Sequence, residues 1–168
     1  IKTLKNITYL LAASNWMLDE SKKYYSSSIQ KKIKLVETGA NFDDDKISYH
    51  KRIYNKKKLS LLFIGSFAQK KGVNIAFDTM NELNRTYNIQ TSLVIIGGFP
   101  GNTIVMDENV QYLGMLNKNS EEDYNTFCNE FRNADLLIFP TRAEYHGIVN
   151  CEAAAFGLPI FATNTGGV

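Results

Sequence analysis

From residue 59 onward, short runs of consecutive apolar residues alternate with longer stretches in which apolar positions recur every three or four residues. The short runs lie at 59–64, 92–96, 110–113, 135–139 and 158–162, and three of them close on glycine, at Gly65, Gly97-Gly98 and Gly114. A run that is apolar throughout, rather than alternating, suits a strand of a parallel sheet covered on both faces. Between the first two runs, Val73, Ala76, Phe77, Met80 and Leu83 share one face of a helix predicted over 72–87. Ser120-Glu-Glu-Asp123 reads as a helix-capping signal, with Asp where Glu is usual, and opens a second helix to about Asn133. A third helix is predicted to begin at Gly147. Strands alternating with helices in this way predict an α/β domain, a parallel sheet with helices on both faces.

The first 58 residues follow another pattern: 7–13 is strand-like, 15–25 helical, 34–37 a short strand, 38–42 a turn and 43–58 a helix leading into the alternating region. Charge divides the chain at the same place. The net charge of +2 hides thirteen Lys and Arg against six Asp and Glu up to residue 58, and six against eleven beyond it. The basic clusters, such as Lys22-Lys23, Lys31-Lys32 and Lys56-Lys57-Lys58, admit two readings. One is attraction to an anionic membrane surface or a phospholipid-linked acceptor. The other is solvated helix faces, which the lack of a strongly amphipathic helix favours.

The 168 residues suffice for one domain with a sizeable core. No run of about 18 apolar residues is present to span a membrane, and no secretory leader is read at Ile1. A cytoplasmic protein is expected, peripheral at most to the inner face of the membrane, with no nucleic-acid partner. Cys128 and Cys151 fall in predicted helices without metal-ligand spacing and are expected as reduced core thiols.

Most of the chemistry lies between Pro140 and Val168. Two carboxylates, Glu144 and Glu152, stand eight positions apart, with Gly147 between them and the apolar pair Ile148-Val149 after it. A strand precedes this stretch and another follows it. In a doubly wound sheet the loop after a strand's carboxyl end borders the ligand crevice. A helix starting there aims unpaired N–H groups and a positive dipole at the ligand, which favours phosphate. A carboxylate on that helix can accept two hydrogen bonds from a sugar diol. The chemistry suggested is capture of a sugar nucleotide.

These residues resemble the nucleotide-binding half of the group 1, retaining glycosyltransferases of the GT-B fold. The family pattern is Glu, seven residues, Glu, with Phe-Gly-Leu/Ile-Val in the gap and Glu-Ala-Met-Ala-x-Gly-x-Pro after it. Here it reads Glu144-Tyr-His-Gly147-Ile148-Val149-Asn-Cys-Glu152-Ala-Ala-Ala-Phe-Gly157-Leu-Pro159, then Gly166-Gly167. The resemblance implies a Rossmann-like, C-terminal half of a GT-B fold over residues 43–168, truncated at its C-terminus. Residues 1–42 would be the end of the acceptor domain and the hinge. The parent protein would transfer a hexose from a UDP-, GDP- or ADP-linked donor to a hydroxyl acceptor, lipid-linked acceptors included, with retention and without a metal or other cofactor. Polysaccharide or glycolipid synthesis is the expected setting. The chain alone is expected to bind the donor without turning it over.

The resemblance also assigns roles. Glu152 would bind the ribose hydroxyls and Glu144 the transferred sugar, while Gly147, Ile148 and Val149 would present backbone N–H groups to the sugar and diphosphate. A second motif, Gly65-Ser66-Phe-Ala-Gln-Lys70-Lys71-Gly72, matches the family's Gly-Arg, four residues, Lys-Gly. Lys71 would stabilise the leaving diphosphate. Ser66 stands where the family has Arg, and a serine can hydrogen-bond a phosphate but not neutralise it. The hinge reads Gly39-Ala40-Asn41 rather than Gly-Val-Asp.

Ser66 keeps open the alternative of a non-catalytic nucleotide-binding module, and a GT-B-type sugar-nucleotide epimerase is a weaker one. His146 is read as packing, and Tyr112 and Leu113 as core. Asp43-Asp44-Asp45 contains an Asp-x-Asp metal pattern, but acids in a first helical turn simply suit the dipole. Dehydrogenase and P-loop readings fail, since neither Gly-x-Gly-x-x-Gly nor Gly-x4-Gly-Lys-Ser/Thr occurs.

Overall fold

The protein, analysed as a computed structural model, is described for Leu4 and for residues 6–47, 57–102 and 104–168. β1 (Leu10–Ala12) and β2 (Ile33–Leu35) form a small parallel pair, joined through α1 (Asn15–Tyr24) and the short α2 (Ser27–Gln30). The remaining elements run β3 (Lys58–Gly65), α3 (Val73–Thr86), β4 (Gln90–Gly97), β5 (Val110–Gly114), α4 (Glu121–Asn133), β6 (Leu136–Phe139), α5 (Ile148–Ala155) and β7 (Ile160–Ala162). Their five strands make one parallel sheet in the order β5-β4-β3-β6-β7. This is the Rossmann-like α/β arrangement, with helices on both faces.

The two faces follow from the two-residue period of a strand. Leu61, Phe63, Leu93, Ile95 and Ile138 pack with Val73, Ala76 and Met80 of α3. Their neighbours Leu62, Ile96, Leu137 and Phe139 pack on the opposite side with Phe127, Cys128 and Phe131 of α4 and Val149 and Ala153 of α5. Residues 61–63, 137 and 138 are at most 1% exposed, which explains why the sequence shows apolar runs rather than alternation.

The strand order places the site. From β3 the chain winds outward to β4 and β5, then crosses back to β6 on the other side of β3 and continues to β7. The direction of winding therefore reverses between β3 and β6. In an open α/β sheet such a reversal marks the usual ligand position, at the carboxyl ends of the two strands.

Several local details differ from the sequence reading. The strand expected over 7–13 is formed only at Leu10–Ala12. The run at 158–162 is strand only from Ile160, because Leu158 closes the preceding helix. Gly157 adopts φ 63° and donates to Ala154 O at 2.9 Å, and Leu158 N donates to Ala153 O at 2.9 Å. These are the paired bonds of a left-handed glycine stop. Of the helix expected over 43–58, residues 43–47 form a turn and 48–56 lie outside the described residues. Cys128 is fully buried, as expected of a core thiol, but Cys151 is only partly buried.

The cap of α4 is half of the expected motif. Ser120 Oγ accepts from Asp123 N at 3.4 Å, but the Asp123 carboxylate turns to Asn117 N at 2.8 Å. The N–H of Ser120 goes instead to Asn117 O at 2.8 Å. Ser120→Ala is expected to cost about 1 kcal/mol, read as a lower thermal midpoint.

Candidate functional site

The loop after β3 carries Lys71, and two glycines decide where its side chain goes. A Cβ on Gly65 would lie 2.9 Å from Lys71 Cγ, so the lysine stem runs across bare backbone. Gly72 precedes α3 with φ 82°, and a Cβ there would fall 2.1 Å from the carbonyl oxygen of Pro140. The loop after β3 is thus pressed against the loop after β6, and Lys71 Nζ meets Glu144 Oε2 at 2.5 Å. Both side chains are largely shielded, at 20% and 12% exposure.

Glu144 is held from several sides. Its Oε1 accepts the N–H groups of Tyr145 at 2.9 Å and His146 at 3.2 Å. Burial acts to raise its pKa. The Lys71 hydrogen bond and these backbone donors outweigh it and hold the carboxyl below its ordinary value. Gly147 caps the start of α5 with φ 63°, and its backbone adds to the pull on the Glu144 carboxylate. Of the other two residues expected to present N–H groups, Ile148 is exposed and Val149 is buried. Behind the loop, Gly167 N donates to Glu144 O at 2.9 Å, and a Cβ on Gly166 would sit 2.0 Å from that oxygen.

The N-terminal segment grips the same loop. Ser14 Oγ, which caps α1, donates to Tyr145 O at 2.8 Å, and the Trp16 and Tyr145 rings lie 5.9 Å apart. Thr38 hydrogen-bonds His146 Nε2, so His146 ties the loop to the segment after β2. Between these parts lies a cavity of about 450 Å³ lined by Ser14, Trp16, Thr38, His146, Gly147, Asn150 and Gly167 among others. Asn150 Oδ1 is buried with no hydrogen-bond partner among the described residues.

Glu152 lies in the second turn of α5, 4% exposed, and engages a different cation. Lys118 Nζ meets its Oε1 at 2.5 Å. Burial pushes the Glu152 carboxyl up, and Lys118 only partly opposes it, so the pKa stays above the ordinary value. Lys118 also donates to Asn41 O at 3.3 Å and stands 3.9 Å from the Phe42 ring centroid. Phe42 in turn packs among Tyr124, Phe131 and Phe156 at 5.2–5.6 Å. Lys118 was not singled out from the sequence. The available signal is Gly114, which ends β5 and puts the residues after it on the same sheet edge as Gly65 and Gly97.

Ser66 is exposed at the carboxyl end of β3, and its carbonyl lies where a Cβ on Gly98 would be, at 2.1 Å. Lys70 stands over the Phe67 ring at 5.6 Å, and Arg142 bonds Gln69 O at 2.5 Å and Asn74 Oδ1 at 3.0 Å. Tyr112 and Leu113 pack with the two cores, Tyr112 OH donating to Gly97 O at 3.2 Å. Asp43, Asp44 and Asp45 are exposed in the turn after the hinge, where Asp43 N donates to Tyr124 OH. The structure therefore brings Lys71, Glu144 and Gly147 together at the switch point. Glu152, on the same helix as that loop's end, faces Lys118, which also bonds Asn41 O.

The chain is similar in sequence and fold to known proteins. An uncharacterized glycosyltransferase of Methanocaldococcus jannaschii is 25% identical over 150 residues, covering 87% of this chain and 39% of that protein. The crystal structure of WaaG, a glycosyltransferase involved in lipopolysaccharide biosynthesis, superposes with a TM-score of 0.71 at 22% identity, covering 94% of this chain and 45% of the other. A TarM variant of S. aureus, solved with Fondaparinux, alpha-GlcNAc-glycerol and UDP, gives 0.69 at 12% identity over 97% of this chain and 31% of its own. The chain spans less than half the length of each. The family described as "Glycosyl transferases group 1" matches residues 44–168, from the turn after the hinge through both motifs to the last residue, and with the GT-B fold around them this chain belongs to that family.

Proposed function

We propose that the complete protein transfers a hexose from a nucleotide-sugar donor to a hydroxyl acceptor with retained configuration, in polysaccharide or glycolipid synthesis. The observation that carries this reading is the Lys71–Glu144 pair at the point where the sheet reverses its winding. An ammonium there can balance the charge that develops on a departing diphosphate. A carboxylate beside it can hold sugar hydroxyls, and Asn150 Oδ1 is an unfilled acceptor for another. In the transfer, the acceptor oxygen bonds the anomeric carbon as the bond to the diphosphate breaks. The acceptor's proton passes to the leaving phosphate, so no separate protein base is needed and no metal is invoked.

Glu152 is assigned the ribose diol, through hydrogen bonds of about 1.5–3 kcal/mol to a charged acceptor. Residues 1–42 are assigned to the end of the acceptor domain and the hinge, and 43–168 to the donor domain. Turnover is assigned to the complete protein and donor binding to this part of it. The pool is taken to be cytoplasmic. Basic residues toward the N-terminus could meet an anionic membrane or a lipid-linked acceptor, although Lys22 and Lys23 are paired with Asp19 and Glu20 at 2.6 and 2.5 Å. A TarM variant solved with UDP supports a nucleoside diphosphate as the shared ligand.

A panel of UDP, GDP and ADP in a thermal-shift experiment identifies the base, since a ligand of the native state raises its midpoint. Glu152→Ala is then expected to weaken affinity for that nucleotide at least tenfold. Unchanged affinity removes the assigned role. The second reading, a nucleotide-binding module without turnover, draws on Ser66 in place of an arginine. Detecting transfer or hydrolysis of any nucleotide sugar by the complete protein excludes it.

A further inference from the structure

Glu152 and Lys118 raise a question that the donor reading leaves open. A ribose diol must reach the Glu152 carboxylate, yet that residue is 4% exposed and its Oε1 is taken by Lys118 at 2.5 Å. Lys118 is the less buried partner, at 22% side-chain exposure, and it arrives from a loop rather than from a helix or strand. It can therefore withdraw toward solvent, whereas Glu152 is fixed on α5. The same ammonium is bound to the hinge by the Asn41 carbonyl at 3.3 Å and by the face of Phe42 at 3.9 Å. The Asn41 backbone also acts on the Glu152 carboxylate, favouring its charged form. The Lys118 ammonium thus joins that carboxylate to the Asn41 carbonyl.

We propose that Lys118 is an internal occupant of the nucleotide site, which latches the hinge to Glu152 and is displaced by the ribose of the incoming nucleotide. This rests on the donor reading of Glu152. The exchange replaces one charge-assisted hydrogen bond by two from the diol, so the carboxylate remains satisfied throughout. The cation left behind keeps the Phe42 ring, with the Phe127 ring 5.2 Å away, and gains water. The Asn41 carbonyl loses its ammonium partner in the same event. Nucleotide binding and hinge freedom are coupled by competition for one acceptor, without a relay through the sheet.

The coupling has a size. If the latch is closed nine-tenths of the time, the apparent affinity of the nucleotide is about tenfold weaker than that of the open site. Lys118→Ala removes the competitor and is expected to tighten binding of the nucleotide found by the thermal-shift panel by about tenfold. Lys118→Arg keeps a cation over Phe42 and is expected to stay within about threefold of the parent.

Calorimetric titration of the parent, Lys118→Ala, Lys118→Arg and Glu152→Ala with UDP, GDP and ADP tests this, together with amide hydrogen exchange on the parent. The nucleotide is expected to speed amide exchange across residues 39–42, a readout that needs no variant to fold. Weaker or unchanged binding by Lys118→Ala, or slower or unchanged exchange across residues 39–42, overturns the latch. If Glu152→Ala still loses affinity in that case, the ribose assignment survives alone. If the parent binds none of the three nucleotides, the donor reading falls and the latch with it.

Discussion

Lys71→Ala in the complete protein is expected to lower transfer turnover by about 10²–10³-fold, the usual cost of removing one preorganised group that stabilises a leaving anion. The lysine stem lies across Gly65, and its ammonium reaches Glu144 at 2.5 Å, so it needs no rearrangement to face the crevice. The loss should fall on turnover more than on the affinity for the free nucleotide, because Glu152 remains. Lys71→Arg is expected to recover only part of the rate, since a planar, delocalised guanidinium does not place the compact charge of an ammonium at Glu144. Comparable turnover in parent and Lys71→Ala proteins would remove Lys71 from the chemistry.

The same variant has a stability signature. Glu144 has its folded-state pKa held below the ordinary value, against burial, by Lys71 and by backbone donors. Such a group contributes stability that is present above its unfolded pKa and lost as pH falls through its folded pKa. The difference in thermal midpoint between parent and Lys71→Ala should be full at neutral pH and shrink as the solution is acidified through the carboxylate range. A difference that grows on acidification contradicts the pairing.

The largest effect on stability is expected from Gly72→Ala. Gly72 combines φ 82° with a position where a Cβ would meet the Pro140 carbonyl at 2.1 Å. A non-glycine residue in the left-handed region costs about 1–2 kcal/mol by itself. The contact adds to this, because backbone oxygen on the end of β6 cannot move without opening the switch point. A total of about 3–5 kcal/mol is expected, with loss of the Lys71–Glu144 pair. Gly114→Ala supplies the comparison. Its φ is 74°, but nothing lies within 4 Å of a Cβ there. It should lose only the conformational part, about 1–2 kcal/mol. Equal losses in chemical denaturation of the two variants would mean that the two loops are not pressed together.

Much of the fold could be read from the chain because its strands are buried on both faces. Residues 61–63 and 137–139 are apolar without a break, and nothing but a covered parallel strand calls for such a run beside helical stretches. The ends of elements were less legible, because neighbouring backbone decides them. Leu158 belongs by hydrophobicity to the strand that follows, yet its N–H completes the stop of α5 at Ala153 O. Asp123 stands where a longer Glu would reach back to the cap residue, and the shorter side chain bonds Asn117 N instead.

The site divides in the same way. The places of Lys71, Glu144 and Glu152 in the fold, after β3, after β6 and on α5, were legible because their motifs fix local loops and helix positions. That Lys71 would reach Glu144 depends on two loops 73 positions apart meeting over Gly65 and Gly72. Lys118 was hidden for a related reason. A loop lysine looks like any solvated cation until the fold sets it against Glu152, 34 positions on. His146 likewise acquires a role only through Thr38, 108 positions away.

The central claim is that one nucleotide site lies at the carboxyl edge of the sheet, between the loops after β3 and β6. Amide chemical shifts recorded during titration with the nucleotide selected by the thermal-shift panel test it most directly. The largest changes are predicted at Gly65–Gly72, Glu144–Val149 and Glu152. The contrary result is a set of changes at the other end of the molecule, around the open depression of Asp78, Asn81, Glu82, Arg85 and Asn109 on the outer side of α3, with the Lys71 and Glu144 signals unmoved.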